Sequence, residues 1–321
     1  MSFKKGFIFL AFALLPAWVS AQFDAQRAQY MYGPVAYNPG ATADKDMCNI
    51  YGDYRLQWAG FSDAPKNVVV AADIPFSIGD SRNGVGISFV DDKVGLFENQ
   101  SFLVQYAYRL NLWHGTLGLG LALGAISQTY NGSEANFTGS SGDLQPGDEF
   151  HSGTSDDVTS DESDMCLEAA FGAYYSDDQF FAGLSVKNLN RPKFDVSENY
   201  TLEIPPVFYL TAGYNMAMSN EDFHFKPSFL ACTDFNSKQL TLDCVLDIKK
   251  KLQCGLGYRL GDSFNFLIGA DNIFDGLFLG YSYDLPVSGM IKSGGSHEIC
   301  LKYSFKLDLS KKNKYKSERI L

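Results

Sequence analysis

The chain has 321 residues, 45% hydrophobic and 15% aromatic, with a formal net charge of −11. That length allows one large domain or two smaller ones, and the acidic balance excludes a nucleic-acid surface, which needs a concentrated basic patch. The aromatic share is carried by 26 Phe and 18 Tyr, residues that favour strands over helices.

The first residues read as an export signal. Lys4 and Lys5 precede an apolar run from Phe7 to Val19, and Val19-Ser20-Ala21 offers a cleavage site before Gln22. The run is too short to span a bilayer comfortably, so residues 1–21 are expected to be a removed signal peptide rather than an anchor. No later segment approaches the ~18 consecutive apolar residues of a membrane helix. Residues 22–46 are expected to precede the folded body as a periplasmic segment or to enter it as a plug.

From Met47 onward, short segments alternate apolar and polar residues between turn formers, the period-2 pattern of strands. Fourteen are expected, at 47–58, 65–76, 82–92, 98–110, 115–129, 163–174, 177–186, 205–217, 222–234, 238–248, 250–260, 263–273, 276–285 and 295–307. In the fourth, Phe102, Val104, Tyr106, Tyr108 and Leu110 oppose Gln105 and Arg109. The fifth opposes Leu117, Leu119, Leu121 and Leu123 to Gly118, Gly120, Ala122 and Gly124. The last opposes Ile299, Leu301, Tyr303, Phe305 and Leu307 to Glu298, Lys302, Ser304 and Lys306.

Alternation alone does not say whether the apolar face meets a core or lipid. The opposite face carries Gly, Ser and charges of both signs, which suits a polar lumen. The strand number is even, and the three longest connections, 130–162, 187–204 and 286–294, fall on one side. Both features are those of an outer-membrane barrel with short periplasmic turns. Closure follows from the solvent: hydrocarbon offers no hydrogen bonds, so an open sheet edge would cost several kcal/mol per orphaned group. The fold expected is therefore all-β, a closed antiparallel transmembrane β-barrel over 47–307, followed by a basic periplasmic tail, 308–321. A large soluble β-sandwich is the competing architecture.

Little points to chemistry. Segment 131–164 is rich in Gly, Ser, Asp and Glu, but Asp156, Asp157, Asp161, Glu162 and Asp164 lack the spacing of a calcium loop, and a solvated loop is expected. Six scattered cysteines contain no Cys-x-x-Cys pair. Cys244 and Cys254 sit on successive strands and are read as small apolar residues rather than a bridge. His114, His151, His224 and His297 have no partner at ligand spacing, and the glycines from Gly118 to Gly124 lie within a strand rather than ahead of a helix. No catalytic, metal or cofactor site is expected. The carboxylates of Asp53, Asp73, Asp243, Asp247 and Asp271 are expected inside the barrel, paired with Arg55, Lys226, Arg259 and Lys302, because buried charges need partners.

Several blocks resemble a known family. Gln29-Tyr30-Met31 is followed by Tyr37-Asn38-Pro39-Gly40-Ala41. Next come Tyr54-Arg55-Leu56-Gln57-Trp58-Ala59-Gly60-Phe61 with Ala64-Pro65-Lys66, then Gly84 to Gly95 including Asp91-Asp92-Lys93. The closing block is Gly294-Gly295-Ser296-His297-Glu298-Ile299. In that order they resemble the PorP/SprF family of outer-membrane proteins, associated with type IX secretion and gliding motility in Bacteroidota. The acidic loop and the basic tail depart from the family pattern. The resemblance implies a non-enzymatic barrel that helps secrete or retain a partner surface protein of adhesin type, working with periplasmic subunits of the machinery and surrounded by outer-membrane lipid and lipopolysaccharide. Asn38, Pro39, Arg55, Gln57, Trp58, Gly60, Phe61, Pro65, Asp92, Lys93, Gly295, Ser296, His297 and Glu298 are its motif positions here, structural or partner-binding. Each block also has an ordinary reading: Asn38-Pro39-Gly40 forms a turn, Trp58 and Phe61 suit an aromatic belt, and His297 suits the lumen or the membrane interface. The alternatives in function are a solute channel and a soluble secreted adhesin.

Overall fold

A computed structural model describes residues 26–306, apart from 62, 133–160, 198–199, 219–221, 288–290 and 292. The expected signal peptide, most of the acidic loop and the basic tail lie outside the described residues. Seventeen strands follow one another among the described residues: β1 Cys48–Leu56, β2 Lys66–Ile78, β3 Ser81–Val94, β4 Phe97–Leu112, β5 Gly115–Asn131, β6 Asp161–Ser176, β7 Phe180–Lys187, β8 Lys193–Ser197, β9 Tyr200–Glu203, β10 Val207–Tyr214, β11 Met216–Ala217, β12 Phe223–Thr233, β13 Lys238–Ile248, β14 Leu252–Arg259, β15 Ser263–Ala270, β16 Leu277–Pro286 and β17 Ser296–Phe305.

Fourteen of these strands close into one antiparallel barrel. β1 pairs with β17, so the first and last strands form a seam, and β10 pairs with β12 to complete the ring. β11 is a two-residue extension on β12, and β8–β9 is a separate hairpin. The fourteen expected segments correspond to the barrel strands with ends displaced by a few residues. The β8–β9 hairpin lies in the connection read as a plain outer loop.

Burial settles which way the faces point. Leu121, Leu123 and Leu256 are 59%, 68% and 63% exposed on the outside of the sheet, while Ala122, Asp243 and Arg259 are buried inside. The outward residues of β4 (Phe102, Val104, Tyr106 and Tyr108) are all exposed, and its inward Gln105 and Arg109 are not. A water-soluble sandwich has the opposite polarity, because its apolar faces are the ones buried. An apolar exterior around a polar interior is the arrangement hydrocarbon requires.

The long connections, those after β1, β5, β7 and β16, share one end, and turns such as 79–80, 113–114 and 249–251 lie at the other. Aromatic residues gather at both ends. His297 lies on the outer face between Tyr281 and Tyr283, its Nδ1 2.8 Å from the Tyr281 hydroxyl, at interface level rather than in the lumen. Trp113 is exposed at the short-turn end. Cys244 and Cys254 stand exposed on the outward face and are not joined by a disulfide.

Candidate functional site in the barrel lumen

Residues 26–46 run through the barrel interior as a chain of short 3-10 turns, including Tyr30–Tyr32, Pro34–Ala36 and Pro39–Ala41. The turns satisfy part of the segment's backbone internally; the remaining buried amides and carbonyls need partners, and the barrel wall supplies them. The Glu298 carboxylate accepts the Ala28 amide at 2.8 Å and the Gln29 amide at 2.7 Å. Asp73 accepts the Ala43 amide at 2.8 Å. Ser185 donates to the Tyr37 carbonyl at 2.7 Å, and Gln105 donates to the Val35 carbonyl at 3.1 Å. Arg109 donates to the carbonyls of Thr42 and Ala43.

The glycine face of β5 is the seat of this segment. A methyl group at Gly120 would strike the Pro39 carbonyl, one at Gly118 the Gly40 carbonyl, and one at Gly172 on β6 the Asn38 amide. Gly40 itself sits 2.8 Å, measured from where its own Cβ would stand, from the Gly118 carbonyl oxygen. Asn38 locks the turn by accepting the Gly40 amide at 2.9 Å and donating to the Ala173 carbonyl on β6 at 3.1 Å. Backbone meets backbone here, and only glycine permits that approach.

The seam between β1 and β17 carries a buried charge cluster. Arg55 on β1 bonds Glu298 at 3.0 Å and Asp284 at 2.6 Å. Arg259 on β14 reaches Asp284 and Asp262, both at 3.1 Å. Two guanidinium groups therefore face three carboxylates, and Glu298 spends its remaining capacity on the plug-side amides. The expected lumen pairing is correct for Lys226 and Asp247, at 2.6 Å. It differs for the arginines, which turn to Asp284, Asp262 and Glu298 rather than to Asp53, Asp73, Asp243 or Asp271. Register gives the reason: Arg55 lies directly opposite Glu298, whereas Asp53 lies opposite Cys300. Sequence reasoning passed over Asp284 and Asp262, although the inward alternation of β16 places Asp284 in the lumen.

The remaining motif positions form a rim where the β1–β2 and β16–β17 connections meet. The Ala59 amide donates to the Gly295 carbonyl at 2.7 Å, Gly294 returns a bond to Ala59 at 2.6 Å, and the Trp58 amide donates to Ser296 at 3.1 Å. Gln57 donates to the Pro65 carbonyl at 2.8 Å. Gly60 and Gly295 have φ of 97° and 82°, conformations in which a side chain is strained. Phe61 is exposed, and Asp92 and Lys93 lie on β3 opposite Asn67 and Lys66. The motif thus falls into a seat (Asn38, Pro39), a seam (Arg55, Glu298) and a rim, with Asp92 and Lys93 apart.

The two ends of the lumen differ. Near the long-connection end, Phe194 and Ile204 fold inward and are buried against Ile126. Towards the short-turn end, a vestibule of about 430 Å³ remains between the plug segment and the wall. Among the described residues no cluster of His, Cys, Asp and Glu is arranged to hold a metal ion.

This geometry and the ordered motif blocks meet one family model, which matches residues 19–303 and is described as type IX secretion system membrane protein PorP/SprF. The chain belongs to the PorP/SprF family. The barrel fold and this family membership together support an outer-membrane location for a type IX secretion barrel. No curated protein matches the chain. Among solved structures, the chain is similar to the outer membrane protein Omp33 of Acinetobacter baumannii (8% identity, covering 81% of this chain and 98% of that one, TM-score 0.42). It is also similar to the toluene transporter TodX of Pseudomonas putida (12% identity, 86% and 94% covered, TM-score 0.46). Nothing about the solute or cargo of this PorP/SprF protein follows from either.

Proposed function

We propose that this barrel is a non-enzymatic component of the type IX machinery that helps secrete or retain a partner surface protein of adhesin type, in support of gliding or attachment. The occupied lumen supports this reading best. Residues 26–46 are tied to the wall by buried hydrogen bonds to Glu298, Asp73, Ser185 and Gln105, which suits a binding device better than an open solute channel. By the barrel rule, the long-connection end faces outward and the short turns face the periplasm. Cargo then meets the rim built from Trp58, Gly60, Phe61, Gly295 and Ser296, and periplasmic subunits meet the short turns. The apolar belt takes outer-membrane lipid, with lipopolysaccharide outside, after a signal peptide is removed near Ala21 and Gln22. Deleting the gene tests this: one adhesin should vanish from the cell surface or be released into the medium. Normal display of every surface adhesin in the deletion strain would overturn it.

A further inference from the structure

The β13–β14 turn holds lysine where asparagine or glycine would relax the chain. The Lys251 amide closes it by donating to the Ile248 carbonyl at 3.1 Å, with Lys249 at φ 55° and Lys250 at φ 53°. Left-handed backbone at both central positions is the type I′ shape, which suits Asn-Gly and strains a long side chain. Lys249, Lys250 and Lys251 are all exposed. On either side of them Ile248 lies opposite Leu252, at the end of the outward apolar face that continues through Leu242 and Leu256. The turns beside this one expose Met218 before β12 and Phe274 before β16.

None of the three ammonium groups makes an ion pair or hydrogen bond among the described residues. Asp247, just before the turn, is buried in the lumen and paired with Lys226 at 2.6 Å, and Asp271 meets Gln253 at 3.3 Å. Asp222 and Asp275 are exposed on the flanking turns, so cations still outnumber anions there. Other short turns have the opposite sign, with Asp80 after β2 and Asp177 and Asp178 after β6. We propose that the β13–β14 turn is a docking site for anionic phospholipid, with Lys249, Lys250 and Lys251 taking headgroup phosphates of the leaflet at the short-turn end. A lysine just beyond an apolar belt lies at headgroup depth, where its stem covers apolar surface and its ammonium meets phosphate. Phe274 and Met218 on the same rim seat at the acyl boundary, so the whole edge is amphipathic, which fits a lipid surface better than a soluble acidic protein. This inference rests on the membrane placement of the barrel and not on the secretion role.

The test offers the full-length protein, shown to be folded in detergent by its heat-modifiable migration, equal amounts of phosphatidylglycerol and phosphatidylcholine. Native mass spectrometry then counts the lipids retained. Phosphatidylglycerol should be favoured by about tenfold, the order that a few lysines near a charged surface supply. The combined Lys249→Asn, Lys250→Gly and Lys251→Gln variant, whose central pair suits the turn, should fold equally well and lose the preference. The combined Lys249→Arg, Lys250→Arg and Lys251→Arg variant should keep it, and Lys251→Gln alone, outside the two left-handed positions, should weaken it. Equal retention of both lipids by the wild type overturns the proposal, as does an undiminished preference in the neutral variant. Displacement of the bound phosphatidylglycerol by millimolar inorganic phosphate would mark a free-anion site, and displacement by an acidic peptide would mark a protein surface. Either result overturns it.

Discussion

Arg55 and Glu298 stand 243 residues apart in the chain and 3.0 Å apart in the barrel, joined across the seam where the first strand meets the last. Glu298 uses both carboxylate oxygens at once, holding Arg55 and the amides of Ala28 and Gln29. One residue therefore connects barrel closure to occupation of the lumen, and two motif blocks at opposite ends of the sequence become a single structural unit.

Arg55→Ala leaves Glu298 and Asp284 as buried carboxylates short of a partner. Removing one member of a buried ion pair costs about 3–5 kcal/mol. The variant should unfold at markedly lower urea in detergent micelles or vesicles. The double variant Arg55→Met, Glu298→Gln should be less destabilised than the sum of the two single changes. Additive effects would show that the pair is not coupled.

Gly120→Val puts a side chain where the Pro39 carbonyl now lies, but leaves β5 free to pair on both sides. The barrel should still form, judged by heat-modifiable migration, while the plug segment is displaced. Trypsin should then cut after Arg27, which is buried in the native protein, at a rate well above wild type. Equal cleavage rates in both proteins would place the seat elsewhere.

Planar bilayers compare the closed and the emptied lumen. The intact protein should show little steady conductance, and a variant lacking residues 26–46 should show a clear increase. A large steady conductance from the intact protein would favour the channel reading over the binding device.

Leu121→Arg introduces a charge on the outward face near the middle of β5, at a cost of about 2–4 kcal/mol at the bilayer midplane. Ala122→Ser, one residue along but facing inward, should be nearly neutral by comparison. Folding yield into liposomes separates the two. Equal yields would mean that the apolar face is not in contact with lipid.

Much was legible from residue order, because strand alternation and turn chemistry are local. The Leu and Gly faces of β5, the Gln105–Arg109 face of β4 and the Glu298–Lys302 face of β17 each follow from a side-chain period of two. The direction of those faces also follows, since a Gly- and charge-bearing side suits a lumen and a Leu-rich side suits lipid. Local pattern likewise marked Asn38-Pro39-Gly40 as a turn, but not what the turn leans on.

Tertiary structure decided the partners. Whether Arg55 would choose Asp53 or Glu298 depends on the register between β1 and β17, a relation between strands that no local pattern contains. The glycines of β5 announced a small face, and only the approach of Pro39 and Gly40 shows that the smallness makes room for another backbone. Phe194 and Ile204 read as part of an outer connection until the chain turns them in against Ile126. In each case the deciding quantity is a distance between residues far apart in the chain, set by closing the ring, whereas each strand's own pattern is set by its immediate neighbours.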